Sequence, residues 1–496
     1  MNYYSTRDNS VSESATKVIA QGISPEGGLY LPQSFPAIGV SRLKALQGMD
    51  YQDRACDILA DFLTDFTPEE IRSSVAYAYN DGFSSEKITP TVKLASGVHM
   101  LELWHGPTAA FKDLALQLLP QLLSISVAKT IGEKQVNILV ATSGDTGKAA
   151  LEGFRDRPGT NILVFYPEQG VSRTQKLQMT TQRGDNVSVF GVRGNFDDTQ
   201  AAVKRIFTSP DIGARLTERG GIFSSANSIN WGRLVPQIVY YISAYCELVA
   251  DGSLVFGEKL NIAVPTGNFG NILAAYYAKR MGLPIGKLIC ASNMNNVLTD
   301  FITTGVYDRK REFHTTTSPS MDIIISSNLE RLLHSLTGQD DVTVATLMGQ
   351  LAERGVYTLP ESALEQLRLD FYGGFCDEVQ TAKVIKQTFE TQGYLCDTHT
   401  AVAFGVYQGY REKTGDTTQT LVVSTASPFK FSGSILSALT GKADGQDEFA
   451  SLRALANLSG LTPPTHILEL ERLPTRFDKI CGREDMEQVV CESLGI

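Results

Sequence analysis

A lysine in an apolar segment is the residue of this chain best suited to covalent chemistry. Lys112 lies in LELWHGPTAAFKDLALQLLPQLL, at the start of a predicted helix whose next residues are mostly apolar. Burial lowers a lysine pKa from about 10.4 by up to about 3 to 5 units, and only the neutral amine attacks an aldehyde. Lys112 is therefore a candidate for Schiff-base formation. A lysine that extends its ammonium into water would fit the same segment.

A glycine-rich turn after a predicted strand could bind a phosphate. Residues 265–271 read PTGNFGN, follow KLNIAVP and precede the helical stretch ILAAYYAKRMG. The helix dipole contributes only about 0.3 to 1 kcal/mol per charge, whereas each hydrogen bond to a charged acceptor contributes roughly 1.5 to 3 kcal/mol. Three or four converging backbone amides could therefore hold an anion. A turn that only packs strand against helix would have the same sequence, so both alternatives stay open.

A second turn, TSGDTG at residues 142–147, follows VNILVA and could hold another anion. It is not a nucleotide-binding P-loop, because Thr142 stands where the first glycine is required and Ala149 stands where Ser or Thr would bind magnesium. The carboxylate of Asp145 fits a helix cap and would repel an anionic ligand. We therefore expect the hydroxyl and amide groups of this turn to contact a carboxylate.

The order of strand and helix patterns along the 496 residues indicates an α/β protein of two to four domains. The first ninety or so residues read as helices and turns, with helix-start signals at Thr67 and Pro68. From about Val136, short apolar strands alternate with glycine loops and helices, which is typical of parallel sheets. Between about Met294 and Gly393 the strand signal fades, and this stretch is predicted to be a helical insertion.

Composition argues against several classes of protein. The net charge of −10 disfavours nucleic acid and acidic membranes as partners. No apolar run reaches the roughly 20 residues that span a bilayer, and the N-terminus has no signal-peptide pattern. The seven cysteines never form C-x-x-C and no H-E-x-x-H motif occurs, so we expect reduced thiols and no metal site. A cytoplasmic location is the prediction.

Taken together, these motifs supply the groups that pyridoxal phosphate requires. Lys112 offers an amine, the 265–271 turn a phosphate cup, and the 142–147 turn a carboxylate cup. The strand TLVVSTA ends in the hydroxyl residues Ser424 and Thr425, which could contact a ring nitrogen. This combination favours the functional interpretation of each motif over the structural one.

Long strings of the chain resemble the threonine synthase family of the long microbial type, within the fold-type-II pyridoxal-phosphate enzymes. YYSTR and QGISPEGGLYLP look like its N-terminal domain, and ELWHGPTAAFKD is similar to its cofactor-lysine motif. ATSGDTGKAA resembles its substrate loop, SANSINWGRLVPQIVYY a family helix, and PTGNFGNILAAYYAKRMGLP its phosphate cup. The resemblance implies an α/β fold like that of the tryptophan synthase beta chain, with two parallel-sheet lobes and an N-terminal, mainly helical domain. The implied boundaries are 1–94 for that domain and 95–496 for the catalytic domain, with lobes at 95–240 and 241–496 and the insertion at 294–393.

The resemblance also implies roles for individual residues. Lys112 is the expected Schiff-base lysine and catalytic residue, and Thr425 is expected to hydrogen-bond the pyridine nitrogen of the cofactor. The residues expected around the cofactor phosphate are Gly267, Asn268, Phe269, Gly270 and Asn271. The residues expected to bind substrate are Thr142, Ser143, Asp145, Thr146, Asn227, Ser228, Asn230 and Arg233. Lys148 is a further candidate for the leaving phosphate.

One segment departs from the family pattern. The family reads S-T-A-H-P-A-K-F near its C-terminus, whereas this chain has Ser427 in place of the histidine and Phe429 in place of the second alanine. Serine cannot carry a proton near neutral pH as imidazole can. We expect an effect on substrate fit or rate rather than on reaction class.

The implied reaction converts O-phospho-L-homoserine and water into L-threonine and phosphate, with pyridoxal phosphate as cofactor. Lys112 would act as general base and acid once released from the cofactor. Alternatives are another lyase of the same fold, such as a serine or threonine dehydratase or a phospholyase, and a catalytically silent protein that binds the cofactor or an anion. The expected partner is a small-molecule substrate, with the chain a monomer or weak homodimer.

Overall fold

The computed structural model describes residues 1–95, 97–142, 144–168, 171–194, 196–442 and 447–496, with only the backbone described at 196 and 197. Within these ranges, no helix is both long and apolar enough to cross a membrane. The predicted α/β architecture with two sheet lobes is confirmed.

The N-terminal part combines a small antiparallel sheet with four helices. Its predicted helix start is confirmed, because Thr67 and Glu70 form a reciprocal capping box ahead of Pro68. The sheet, in the order β2-β1-β3, was not predicted. Two of its strands have only three residues, too few for an alternating pattern to stand out. The elements are β1 (Tyr3–Ser5), β2 (Asp8–Glu13), α1 (Ala15–Gln21), β3 (Tyr30–Pro32), α2 (Val40–Gln47), α3 (Tyr51–Phe62) and α4 (Pro68–Ala78).

The smaller lobe contains a five-stranded parallel sheet in the order β16-β8-β7-β6-β9. The middle strands are buried apolar runs, as expected where helices cover both faces of a sheet. The elements from residue 91 to residue 250 are β4 (Thr91–Lys93), β5 (Val98–Glu102), α5 (Lys112–Leu116), α6 (Leu119–Thr130), β6 (Gln135–Ala141), α7 (Asp145–Phe154), β7 (Thr160–Pro167), α8 (Arg173–Thr180), β8 (Val187–Arg193), α9 (Phe196–Phe207), α10 (Pro210–Glu218), β9 (Gly221–Ser224) and α11 (Trp231–Ala250).

The larger lobe contains a six-stranded sheet in the order β14-β11-β10-β15-β5-β4, in which only the edge pair β4 and β5 is antiparallel. Its elements continue with β10 (Leu260–Pro265), α12 (Gly270–Arg280), β11 (Ile285–Ser292), α13 (Val297–Thr304), β12 (Val306–Asp308), α14 (Leu329–Leu336), α15 (Asp341–Arg354), β13 (Val356–Thr358), α16 (Glu361–Asp370), β14 (Phe371–Phe375), α17 (Glu378–Gln392), α18 (Thr398–Thr414), β15 (Thr420–Ser424), α19 (Ser432–Thr440), α20 (Glu448–Ser459), α21 (Thr465–Leu468), β16 (Ile480–Gly482) and α22 (Met486–Leu494). Short 3₁₀ turns lie at Pro319–Met321, Pro428–Phe431 and Glu469–Glu471.

The two lobes interleave along the chain more than the expected boundaries imply. Strands β4 and β5 belong to the larger sheet, although they fall in or beside the range expected for the smaller lobe. Strand β16, from the C-terminal region, pairs with β8 of the smaller sheet. The reason is geometric, since a strand joins whichever sheet offers an open edge and a matching apolar face, whatever its position in the chain.

The expected helical insertion is helical in part. It contains helices α13 to α17, but also the ribbon β12-β13 and the strand β14 at the edge of the larger sheet. Strand β14 reads FYGGF, and glycines are depleted in strands. They are needed here because a Cβ at Gly373 would lie 3.1 Å from Thr299 Cα.

Helix α14 ties the N-terminal part to the larger lobe. Its Glu330 accepts hydrogen bonds from the Thr6 hydroxyl at 2.5 Å and from the Arg7 guanidinium at 2.7 and 2.8 Å. The next residue, Arg331, is fully buried and donates to the carbonyl of Tyr30 at 2.8 Å and to that of Ile229 at 2.6 Å. The last two residues of the YYSTR motif, Thr6 and Arg7, therefore hold helix α14 in place.

Replacing Glu330 by Ala should lower the free energy of unfolding by about 1 to 3 kcal/mol, because it leaves Arg7 and Thr6 without their shared acceptor. Urea denaturation followed by circular dichroism measures this change. The matched control is Glu471→Ala, which breaks a Glu–Arg pair of similar length (2.8 Å to Arg453) whose side chains are 40% and 54% exposed. That control should lose less than about 1 kcal/mol. Equal losses in both variants would contradict the assigned role of Glu330.

Candidate active site

Lys112 lies at the start of α5 with its side chain directed into the protein rather than into water. The residue is only 8% exposed. Its backbone is held beside the end of β15, because the Phe111 N–H donates to the Thr425 carbonyl at 2.8 Å. The next residue, Asp113, accepts from the N–H and the hydroxyl of Thr108 and so closes the turn that precedes the lysine. Burial raises the pKa of Asp113 to about 6.

The amine of Lys112 faces both a hydroxyl and a carboxylate. Its Nζ lies 3.2 Å from Ser320 Oγ and 3.6 Å from Asp145 Oδ2. Burial lowers the pKa of Lys112 below its ordinary value, Asp145 opposes that shift, and the positive charges of Lys430 and Arg233 add to it. The amine therefore loses its proton more readily than a surface lysine does, as nucleophilic chemistry requires.

Asp145 is not the simple helix cap that its position suggests. Its Oδ1 lies 2.7 Å from the ammonium of Lys430, which is fully buried, and accepts from Gln175 Nε2 at 3.0 Å. Burial raises the pKa of Asp145, but the charges of Lys430 and Lys112 outweigh it and hold that pKa well below its usual range. The side chain is thus an ionised carboxylate between two lysines.

The turn at residues 267–271 opens helix α12 as predicted. Phe269 adopts a left-handed conformation with φ of +64° immediately before the helix, which turns the chain sharply. The N–H groups of the first helical turn have no acceptor within the helix and can serve a ligand. Asn271 Oδ1 accepts from the hydroxyls of Tyr240 and Tyr241, and its buried Nδ2 has no partner among the described residues. An anion placed here would satisfy that orphaned donor.

Ser320 brings the lysine and the glycine turn together. Its hydroxyl accepts from Lys112, and a Cβ added to Gly267 would lie 2.6 Å from its carbonyl oxygen. The Ser320 N–H donates to His399 Nε2 at 3.1 Å, while His399 Nδ1 lies 2.8 Å from Asp397 Oδ1. Lys112 and the glycine turn at 267–271 therefore both lie against Ser320.

Asn328 fixes the other side of the glycine turn. Its backbone N–H and its Nδ2 both donate to the Asn268 carbonyl at 3.1 Å, and its Oδ1 accepts from Arg331. Ser326 Oγ donates to the Gly267 carbonyl at 2.7 Å. Because Arg331 also holds the carbonyl of Tyr30, the turn is supported from the N-terminal part of the chain.

The turn at residues 142–147 is held internally by Thr142, whose hydroxyl accepts from Gly144 N at 3.0 Å and from Gly147 N at 2.9 Å. This hydroxyl shapes the loop and is not left free for a ligand. The Thr146 side chain is part-exposed and makes no hydrogen bond to a described residue, so it remains available. Ser143 lies outside the described residues.

Some of the remaining expected substrate ligands already bond to other residues of the protein, and others bond to no described residue. Asn230 caps α11, with its Oδ1 accepting from Gly232 N and its Nδ2 donating to two carbonyls, so it is structural. Lys148 is paired with Glu152 at 2.9 Å, and its ammonium also donates to Gln182. Asn227 and Ser228 are part-exposed and their side chains bond to no described residue. Arg233 is 3% exposed, and its Nε has no partner among the described residues.

Thr425 lies beside the segment that carries Lys112, and the nearby residues that depart from the family pattern are packed. Its side chain is 6% exposed, adjoins Phe111 through the backbone, and makes no hydrogen bond to a described residue. Ser427 caps the turn 428–431 by accepting from Phe429 N, and Phe429 is buried in the core. The free Thr425 hydroxyl, the orphaned donors of Asn271 and Arg233, and the buried amine of Lys112 together fit pyridoxal phosphate and an anionic substrate.

Sequence reasoning missed Ser320, His399, Asn328 and Lys430. The first three lie in or beside the stretch expected to be an insertion, where short polar strings such as SPSMD and CDTHT carry no glycine-loop signal. Lys430 was visible in SPFKF, but only tertiary packing brings it to Asp145.

Replacing Gly267 by Ala should weaken binding of pyridoxal phosphate by about tenfold or more, about 1.4 kcal/mol, because the new Cβ would push Ser320 away from Lys112. Titration of the unloaded protein, followed by absorbance, measures the dissociation constant. The control is Gly213→Ala, where a Cβ meets nothing within 4 Å. Unchanged affinity in the Gly267 variant would contradict the assigned geometry.

Comparisons with known proteins agree over the whole chain. Three family profiles match the chain. The profile described as threonine synthase N terminus matches residues 2–79, the profile described as pyridoxal-phosphate dependent enzyme matches residues 84–368, and the profile described as threonine synthase, C-terminal, matches residues 400–490. Threonine synthase from Methylobacillus glycogenes is 38% identical over 92% of this chain and 95% of its own length. The pyridoxal-phosphate-bound threonine synthase structure from Brucella melitensis aligns with a TM-score of 0.88 at 35% identity, covering 100% of both chains.

The human protein named threonine synthase-like 1 is 41% identical over 96% of this chain, and the chain spans 64% of its length. The expected fold-type-II architecture and the expected cofactor are confirmed by these matches. The chain belongs to the threonine synthase family of pyridoxal-phosphate-dependent enzymes.

Proposed function

We propose that this chain converts O-phospho-L-homoserine and water into L-threonine and phosphate. The observation that carries the proposal is the buried Lys112 amine, which shares the contact residue Ser320 with the phosphate-binding turn. Membership of the family, with full coverage of a threonine synthase chain, supports the same conclusion. The three-part match includes the N-terminal segment whose residues hold α14.

The residues that would hold the cofactor follow strands β5, β10 and β15 of the larger sheet. Lys112 would bond to its aldehyde, Gly267 to Asn271 would surround its phosphate, and Thr425 would meet its ring nitrogen. When bound, pyridoxal phosphate supplies a reactive aldehyde and a ring system that accepts electrons from the substrate. A neutral hydroxyl at the ring nitrogen favours an unprotonated nitrogen, which restrains electron withdrawal and so suits elimination.

Lys112 would also move protons at the α, β and γ carbons of the substrate. Burial lowers its pKa, which makes its neutral amine easier to form than that of a surface lysine. The Ser320 hydroxyl accepts from Lys112 and lies 3.4 Å from Asp145 Oδ2, so it could relay a proton between them. A single amine would thus serve several proton transfers.

The substrate anions would occupy two different walls of the site. We assign the substrate carboxylate to the amides of the 142–147 turn and to Thr146. We assign the leaving phosphate to Arg233, with Asn227 and Ser228 beside it. Arg233 suits this role because burial lowers its pKa only to about 10, so it stays a cation, and its Nε lacks a partner. Asn230 and Lys148 are excluded from the assignment by their existing bonds.

The domain boundaries at 94 and 240, the cytoplasmic location and the monomeric or weakly dimeric state stay predictions from the sequence. Sedimentation of the purified chain would measure the oligomeric state.

The purified protein loaded with pyridoxal phosphate should release phosphate and threonine from O-phospho-L-homoserine in equal amounts. Phosphate is measured colorimetrically and threonine by chromatography. A 2-oxo acid and ammonia in place of threonine would instead identify a dehydratase or phospholyase. Bound cofactor with no turnover of this substrate would identify a silent binding protein.

Lys112→Ala should abolish the visible absorption of the protein-bound cofactor and reduce turnover by about 10²- to 10⁴-fold or more. Folding should persist, because Asp145 keeps its ion pair with Lys430. The control is Lys386→Ala, which removes a side chain 47% exposed on α17. An active Lys112 variant with an unchanged absorption spectrum would remove the central assignment.

A further inference from the structure

A line of three buried charges crosses the site. Lys112 of α5 and Lys430 of the 428–431 turn flank Asp145 of α7, at 3.6 Å and 2.7 Å. Lys430 is fully buried and also donates to the Thr108 carbonyl at 3.0 Å. Burying a lysine is costly unless it is paired, so its presence here calls for a role.

The two oxygens of Asp145 are used unequally. Oδ1 takes Lys430 and Gln175 at hydrogen-bond distances, whereas Oδ2 stands 3.6 Å from Lys112 and 3.4 Å from the Ser320 hydroxyl. A carboxylate with one lysine partner would normally approach it to about 2.7 to 2.9 Å. Lys430 therefore makes the shorter contact with Asp145, and Lys112 makes the longer one.

Other titratable and charged groups lie around these three charges. Arg233 of α11 lowers the pKa of Lys112, and Lys430 in turn lowers the pKa of Asp113 of α5 and of His466 of α21. Burial lowers the pKa of His466 to about 4, so it is neutral near pH 7. On the remaining elements, Lys148 and Glu152 of α7 pair with each other, and His399 of α18 pairs with Asp397.

We propose that Lys430 is a positioning residue for Asp145: its ammonium holds the carboxylate ionised and turned away, so that Lys112 stays loosely paired and can give up its proton. The proposal deepens the proposed function, because a loosely paired amine is what cofactor attachment and proton transfer both require. Arg233 alone could not serve this purpose, since it has no contact with Asp145 among the described residues.

The proposal has a signature of two opposite shifts. In Lys430→Met, Asp145 is free to pair with Lys112 and one repelling charge is gone, so the pH at which Lys112 becomes nucleophilic should rise by about one unit or more. In Asp145→Asn the stabilising carboxylate is gone while Lys430 remains, so that pH should fall by a similar amount. A role in packing alone would not produce shifts of opposite sign.

The shift can be measured without turnover. The cofactor-free protein is trace-labelled with acetic anhydride across a range of pH, and mass spectrometry gives the midpoint for Lys112. Lys148→Met is the matched control, because Lys148 is also a part-buried lysine in an ion pair but is not one of the three charges. In this variant the midpoint of Lys112 should match that of the unchanged chain. Lys430→Arg, which keeps the charge, should leave the Lys112 midpoint close to that of the unchanged chain.

An unchanged Lys112 midpoint in folded Lys430→Met would overturn the proposal, as would an equal rise in folded Lys430→Arg. If Lys430→Met does not fold, the double variant Asp145→Asn/Lys430→Met tests whether the loss comes from a stranded charge or from packing. It should fold, because a neutral pair replaces a buried ion pair without stranding a charge. An unfolded double variant would show that Lys430 serves packing, and would also overturn the proposal. Because labelling uses neither cofactor nor substrate, its outcome is independent of whether threonine is formed.

Discussion

The site depends on keeping one amine neutral enough to react inside a protein that surrounds it with charge. Lys112 is buried, which disfavours its ammonium form, yet a carboxylate stands within 3.6 Å and favours it. The balance between these effects is set by Lys430, which binds the same carboxylate more closely at 2.7 Å. Since charges in a poorly solvated site interact strongly, the distances from Asp145 to its two lysines affect how readily Lys112 loses its proton.

The second requirement is a stiff glycine turn at residues 267–271, which distant residues hold in place. Phe269 adopts a left-handed backbone, which costs free energy in a bulky residue and persists only where its surroundings hold it. Asn328 holds the carbonyl of Asn268, Arg331 holds Asn328, and Glu330 holds the N-terminal residues Thr6 and Arg7. The N-terminal segment, which matches the threonine synthase N-terminus profile, thus supports the glycine turn through helix α14.

The sequence predicted those parts of the protein that local signals encode. Apolar runs followed by glycine turns indicated the α/β architecture, and the turn before α12 indicated an anion site at a helix start. Lys112 was visible because an amine in an apolar helix is unusual. The strand β14 and the interleaving of the two sheets were missed, since short glycine-containing strands carry little periodicity and edge pairing depends on non-local contacts.

The sequence by itself determined the fold class and the resemblance to a family, and it singled out Lys112 and the two glycine turns as candidate site residues. Only the tertiary structure decided how those groups are combined. It made Asp145 a partner of two lysines rather than a helix cap, placed Ser320 between Lys112 and Gly267, and showed Asn230 and Lys148 to be engaged elsewhere. The physical reason is that pairing and burial are set by residues hundreds of positions apart, and their distances are not written in any local pattern.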